Sequence, residues 1–223
     1  QMDCDTALTN KRVEGSVTDL VRAARLQSKG TKLTFPIATF AYWQIISNKR
    51  SRISELKQLS DKMIAITRYS ATDYLATLAI DSVHPKYDVY RVQINDVNIR
   101  LKMLLNNEMD AVLLSEPQAT RARLEGHVKL MDSRDKNVRL GVFAFRTEAL
   151  KEPRRKQQLD LFIKAYNMAV DSINKNGVQH YKNLIIKNCG VDARTVDALP
   201  KLRYQHAGSP RKHDRNIANS IKN

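Results

Sequence analysis

The stretch Lys62-Met-Ile-Ala-Ile-Thr-Arg-Tyr-Ser-Ala-Thr-Asp-Tyr-Leu75 changes period halfway along. Its first six residues are a short apolar run that reads as a buried strand. Ser70-Ala-Thr-Asp73 then carries a capping-box signature, in which Ser70 accepts from the N3 amide while the Asp73 carboxylate reaches back to the helix start. A helix is expected from there to about Ser82, ending before His84-Pro85, because a proline disfavours helical backbone in the residue ahead of it.

The alternation continues outward on both sides. Downstream, residues 88–94 read as a strand, Asp96 opens a helix with Ile99, Met103 and Leu104 on one face, and residues 110–114 form another apolar strand. Pro117 suits the first turn of a further helix and Gly126 its carboxyl end. Residues 128–131 close a series that has the α/β pattern of a parallel or mixed sheet. Upstream, residues 2–11 look helical, 14–17 form a strand, and Thr18 caps a helix that ends at Gly30. A long apolar, aromatic and β-branched stretch fills 33–47, and a short connecting helix fits 53–59. Beyond 138 there is one more strand, 139–145, and then helices over 153–175, 179–188, 192–199 and 210–221. The longest carries Leu159, Phe162, Ile163, Tyr166, Val170 and Ile173 at helical spacing, a core face.

The chain has 223 residues, enough for one large domain or two small lobes. Its 42% hydrophobic content excludes global disorder. No apolar run approaches the ~18 residues that a membrane-spanning helix needs. The opening Gln1-Met2-Asp3 lacks the basic and apolar parts of a signal segment, which suggests a processed or truncated start. Cys4 and Cys189 are too few and too far apart for a disulfide framework or a zinc site, and they read as two unpaired thiols, with one bridge as the alternative. The 38 Lys and Arg exceed the 23 Asp and Glu to give a net charge of +15. The basic residues are dispersed, and the short clusters at 49–52, 154–156 and 211–213 fall at loops or helix ends. With no zinc-finger spacing, aromatic RNA-binding motif or basic heptad region, the charge reads as a solvated surface rather than a nucleic-acid site.

Ligands of open α/β sheets bind beyond the carboxyl ends of strands, where helix amino termini offer free amides. Three loops qualify: Thr18-Asp19, residues 67–73, and Ser115-Glu-Pro117. The middle loop gathers Arg68, Tyr69, Ser70, Thr72 and Asp73, which can hold a small polar or anionic ligand, or can simply cap the helix with Arg68 in solvent. Glu116 and Asp19 can each accept from a ligand amine or amide, or be charges favoured near a helix start. Phe40, Tyr42 and Trp43 can stack on a ligand or pack in the core. The five histidines show no metal-ligand spacing. The chain has no Gly-x-Ser-x-Gly elbow, no Gly-x-Gly-x-x-Gly and no P-loop, so nothing argues for catalysis, a cofactor or a metal.

In their order and spacing, VEGSVTDLVRAARLQSKG (13–30), ISELKQLSDKMIAITRYSATDYL (53–75), LLNNEMDAVLLSEPQATRARLEGHVKLMDS (104–133), VRLGVFAF (138–145) and the ending KLRYQHAGSPRKHDRNIANSIK (201–222) resemble a known family. It is the type II periplasmic solute-binding proteins of ABC transporters, in the branch that binds sulfonates, taurine, nitrate and thiamine precursors. The resemblance implies two α/β lobes joined by two crossing segments, near 47–60 and 132–140, with a helical carboxyl-terminal extension and ligand enclosed by hinge closure. Residues 60–133 would form the continuous lobe, and 1–59 with 134–223 the split one. It further implies that Thr18, Asp19, Thr39 and Phe40 face the cleft from one side, and that Arg68, Tyr69, Ser70, Ala71, Thr72, Asp73, Asp96, Ser115 and Glu116 face it from the other. The implied partners are a small anionic, zwitterionic or heterocyclic solute and a membrane permease, with an extracytoplasmic location and membrane contact only through a lipid anchor outside these residues. Family members begin with a strand, helix and strand that would precede this chain, roughly 40–90 residues by ordinary α/β unit lengths. Two other classes share the fold. Ligand-sensing domains of LysR-type regulators follow a winged helix, which is absent here. Yeast-type pyrimidine-precursor synthases carry a cysteine-rich motif that this chain lacks.

Overall fold

A computed structural model describes residues 2–221, with side chains from residue 4; Gln1, Lys222 and Asn223 lie outside it. In chain order the first elements are α1 (Met2–Thr9), β1 (Gly15–Asp19), α2 (Leu20–Ser28), β2 (Leu33–Ala38), β3 (Gln44–Ser47), β4 (Met63–Ile66), α3 (Ala71–Asp81) and β5 (Tyr90–Gln93). Then follow α4 (Val97–Leu105), β6 (Ala111–Leu114), α5 (Gln118–Leu124), β7 (Val128–Asp132), β8 (Gly141–Arg146), α6 (Pro153–Asn176), α7 (Lys182–Cys189), α8 (Ala193–Asp197) and α9 (Lys212–Ser220).

The strands form two sheets. One has five strands in the order β5-β4-β6-β3-β7, and the other three in the order β1-β8-β2. In the larger sheet β4 runs parallel to β5 and β6, with Met63 opposite Tyr90 and Ile64 opposite Ala111, while β3 is antiparallel to β6 and β7. It is a mixed sheet with a core on both faces. Ile64 and Ile66 pack with Leu75, Ala76 and Leu113 on one side. Ala65 packs with Ile46, Leu104, Val112 and Leu114 on the other. Burial on both faces is why β4 is a continuous apolar run and not an alternating one. The small sheet is antiparallel, with β8 between β1 and β2.

The apolar stretch 33–47 is two strands in different sheets, so the chain first crosses at 39–43 and not at 47–60. Gln44–Ser47 are all buried and pair on both edges, an environment that only the middle of the larger sheet supplies. The chain returns from the larger sheet to the small one over 133–140, between β7 and β8. The two crossings run side by side, tied by Ser133 N–H to Trp43 O (2.9 Å) and Trp43 N–H to Ser133 Oγ (3.0 Å).

Several local details differ from the expected ones. Asp19, not Thr18, caps α2, accepting from Arg22 N–H at 3.0 Å, because Thr18 is still in β1. Asp73 accepts from Tyr69 N–H (2.9 Å), one residue ahead of the Ser70 amide that a capping box would use. The inner face of α4 is Arg100, Leu101 and Leu104, and Ile99 is 53% exposed. On α6 Val170 alone is buried among the described side chains, although Phe162 and Tyr166 meet the Phe143 ring at 5.7 and 5.8 Å. The 24 residues of α6 make a helix about 36 Å long, while the six of β8 span about 20 Å, so the small sheet cannot cover it. Cys4 and Cys189 are both free. No described helix is long and apolar enough to cross a membrane.

Candidate ligand-binding site

The starts of α2 and α3 meet at a single carboxylate. Amides in the first turn of a helix lack internal partners, and the helix dipole favours an anion there. Asp19 supplies that anion to α2, accepting from Arg22 N–H, and the Ala71 amide at the start of α3 also favours its charged form. Ala71 packs in one cluster with Leu20, Val21 and Leu140, so this contact is closed to solvent. Burial pushes the Asp19 carboxyl up to about 6, the two amides and Arg22 oppose it, and Asp5 adds to it. Arg22 also pairs with Asp5, and its Nε, like the Thr18 hydroxyl, is buried without a partner among the described residues.

Ser70 and Thr72 turn inward. Ser70 Oγ donates to Thr67 O at 2.6 Å, and Thr72 Oγ1 accepts from Thr67 N–H at 2.9 Å. They shape the loop after β4. Arg68 and Tyr69 lie outside this contact, bordering a recess of about 310 Å³ with Arg22 and Arg25, where the Arg25 guanidinium lies 3.7 Å from the Tyr69 ring centre. Asp73 pairs with Arg91 at 3.6 Å. Asp96 accepts from Asn98 N–H and Ile99 N–H at 2.8 and 3.0 Å as the cap of α4.

Thr39, Phe40, Ser115 and Glu116 come together elsewhere, on a cavity of about 420 Å³ whose walls include Tyr42 and Tyr166. Gly141 allows this approach, because a Cβ there would fall 2.2 Å from Thr39 Oγ1, while Thr39 N–H donates to Gly141 O at 2.8 Å. Glu116 Oε1 accepts from Tyr42 Oη–H (3.2 Å) and Arg123 (3.0 Å), and Oε2 accepts from Thr120 N–H (2.9 Å). Burial first, then the Glu116 charge, pushes the Tyr42 phenol up, so it stays protonated. Arg134 lies over the Tyr42 ring at 3.9 Å, and Arg139 over Phe40 at 4.7 Å. A second hollow of about 570 Å³ shares Glu116, Ala169, Ile173, Leu202 and Tyr204 with the first, so the two are continuous along α6.

The expected site residues therefore fall into separate groups. Thr18, Asp19, Ser70, Ala71 and Thr72 surround the joined helix starts, Arg68, Tyr69 and Asp73 lie beside them, Asp96 caps α4, and Thr39, Phe40, Ser115 and Glu116 line the cavity. The sequence reading missed Tyr166 and Ile173 as cavity residues because their helical spacing fits a core face equally well. It also missed Arg100, which is buried in α4. Arg100 donates to Leu113 O (2.8 Å), Thr67 Oγ1 (3.0 Å) and Ile94 O (2.6 Å), fixing the ends of three strands. Its interior position on the α4 face was the available signal. No group of three or more metal-ligating side chains occurs among the described residues.

Two sheets joined by paired crossings, with helix starts converging between them, define the periplasmic binding protein fold. Solved structures carry the same architecture. The periplasmic aliphatic sulphonate-binding protein SsuA of Escherichia coli matches with a TM-score of 0.76 at 15% identity, over 96% of this chain and 74% of that one. SsuA of Xanthomonas axonopodis pv. citri bound to MOPS matches at 0.75 and 16%, over 96% and 75%. A zinc-bound ligand-binding component of an ABC-type import system from Staphylococcus aureus matches at 0.77 and 15%, over 98% and 76%. What such identities establish is the shared fold. No family model matches the chain. No curated protein matches it either.

Proposed function

We propose that this chain is the substrate-binding component of an ABC-type importer. It captures a small organic solute in the cavity beside Glu116 and delivers it, unaltered, to a membrane permease. The observation that carries this reading is the origin of the cavity walls. Thr39 follows β2 and Phe143 lies in β8, both in the small sheet, whereas Ser115 and Glu116 follow β6 in the large one. A solute seated there touches both halves, so its binding favours the arrangement that brings them together. Residues 39–43 and 133–140 then act as the hinge between a split lobe and a continuous lobe. Delivery to a permease places the protein outside the cytoplasmic membrane, free or held by a lipid anchor.

Native mass spectrometry of gently purified protein tests the reading. The expected result is a co-purifying small molecule that is released on unfolding. X-ray scattering should show the protein expand when that molecule is removed and contract when it is restored. A chain that carries no solute and keeps one shape throughout would contradict it.

A further inference from the structure

The chemistry of the cavity points to a class of solute. Among the residues lining the 420 Å³ cavity and the 570 Å³ hollow continuous with it, none is a lysine, arginine or histidine, and the one carboxylate is Glu116. The other walls are mainly aromatic and aliphatic, Phe40, Tyr42, Phe143 and Ile173 among them, with hydroxyls from Thr39, Ser115 and Ser172. Arg123, Arg134 and Arg139 are not among the lining residues: the first is bonded to Glu116, the second is paired with Asp132 and stacked on Tyr42, and the third lies over the Phe40 ring at 4.7 Å.

An anionic group brought into this space would lose its hydration, gain no counter-charge, and face a carboxylate. An apolar body would instead displace water from aromatic walls, and an N–H or O–H on it would find an acceptor in Glu116. We infer that the solute is a non-anionic, mainly apolar molecule whose hydrogen-bond donor meets Glu116, and that the cavity disfavours carboxylate-, sulfonate- and phosphate-headed compounds. This rests on the solute-capture reading and narrows it to a class unlike the sulphonates named for the Escherichia coli neighbour.

The uncharged fluorophore N-phenyl-1-naphthylamine, whose emission rises in apolar surroundings, is the reporter for the test. The purified full chain is expected to bind it, and Ala169→Trp, which fills the wall common to both hollows, is expected to weaken that binding at least tenfold. Tryptophol, tryptamine and indole-3-acetate share one ring and differ in the charge of the tail. Tryptophol or tryptamine should displace the reporter at concentrations at least tenfold below indole-3-acetate, and Glu116→Gln should narrow that gap. Displacement by indole-3-acetate at equal or lower concentration, no displacement by either non-anionic compound, or an absence of reporter binding would each overturn the inference. A tightly bound anion found by native mass spectrometry would sink this inference and leave solute capture standing. Reporter binding with no co-purifying solute and no change of shape would instead contradict solute capture itself.

Discussion

In the five-stranded sheet, β3, β4 and β6 lie between two apolar layers, and Ile45, Ile46, Ile64, Ile66, Leu113 and Leu114 are fully buried. In the three-stranded sheet only the face toward α2 is closed in this way. Its other face meets α6, where Leu161 is 62% and Met168 64% exposed, and Val17 on β1 is 53% exposed. Glu14 O accepts from Arg146 N–H, and Leu20 N–H donates to Leu140 O, which turns the amide of Val17 away from β8. The first sheet is an ordinary folding core. The second leaves an edge and a face for other uses, and the aromatic cavity is built on that face. The difference separates the part that holds the fold from the part on which the proposed capture of a solute would depend.

The comparison breaks first in the larger sheet. Leu113→Ala should cost about 4 kcal/mol in urea-unfolding free energy, since it removes a fully buried side chain from a site walled on all sides. A cost under about 1 kcal/mol would mean that the sheet can collapse around the gap and that the two regions are alike. Arg100→Ala should cost about 3 kcal/mol, because Leu113 O, Thr67 Oγ1 and Ile94 O lose their donor together. Exchange of the Ile94 amide, which bonds to Ile66 O, should speed up with it.

The same contrast explains what the sequence made legible. Ser70, Asp96 and Gly126 mark their helix ends locally, and the runs at 63–66 and 111–114 are apolar throughout because both their faces are covered. Those signals are short-range and survive without knowledge of the partner. The break at 39–43 is not of this kind. Phe40, Tyr42 and Trp43 look like strand residues, and only the pairing of Gln44 with Leu114 and Asp132 shows that the chain has changed sheets. The candidate site suffered similarly. Ser70 and Thr72 have the composition of a ligand loop but bond to Thr67, and Tyr204 reaches the cavity from a segment with no secondary structure and no motif.

Asp19 lies where the two regions touch, and its titration sharpens the comparison. Its carboxyl is raised from 3.8 to about 6 in the folded chain, with burial opposed by the Arg22 and Ala71 amides and the Arg22 guanidinium and reinforced by Asp5. The fold therefore holds this proton more tightly than the unfolded chain does. That contribution is complete below about pH 3.8 and fades as pH rises through about 6. Asp19→Asn keeps an acceptor and removes the titration. Between pH 4.5 and 7 the wild type should lose about 2 kcal/mol relative to the variant, from the displacement of the carboxyl at about 1.36 kcal/mol per pH unit. Urea midpoints of both proteins across that range measure it. A difference that stays flat would place Asp19 in solvent and separate the two helix starts.

The smallest effects belong to the open face of α6 and β1. Leu161→Gln and Val17→Thr each change a side chain that is more than half exposed, and each should alter stability by less than about 0.5 kcal/mol. The value is small because little apolar area leaves water at either position when the chain folds, in contrast to the roughly eightfold or greater cost at Leu113. If either substitution cost more than about 1 kcal/mol, the face would be covered in solution by a second copy or by another segment. Sedimentation at several concentrations separates those two, since only a second copy makes the loss depend on protein concentration. A small loss at both sites would leave the three-stranded sheet as the half of the molecule held by one core layer, with the cavity supported chiefly by the larger sheet beneath Ser115 and Glu116.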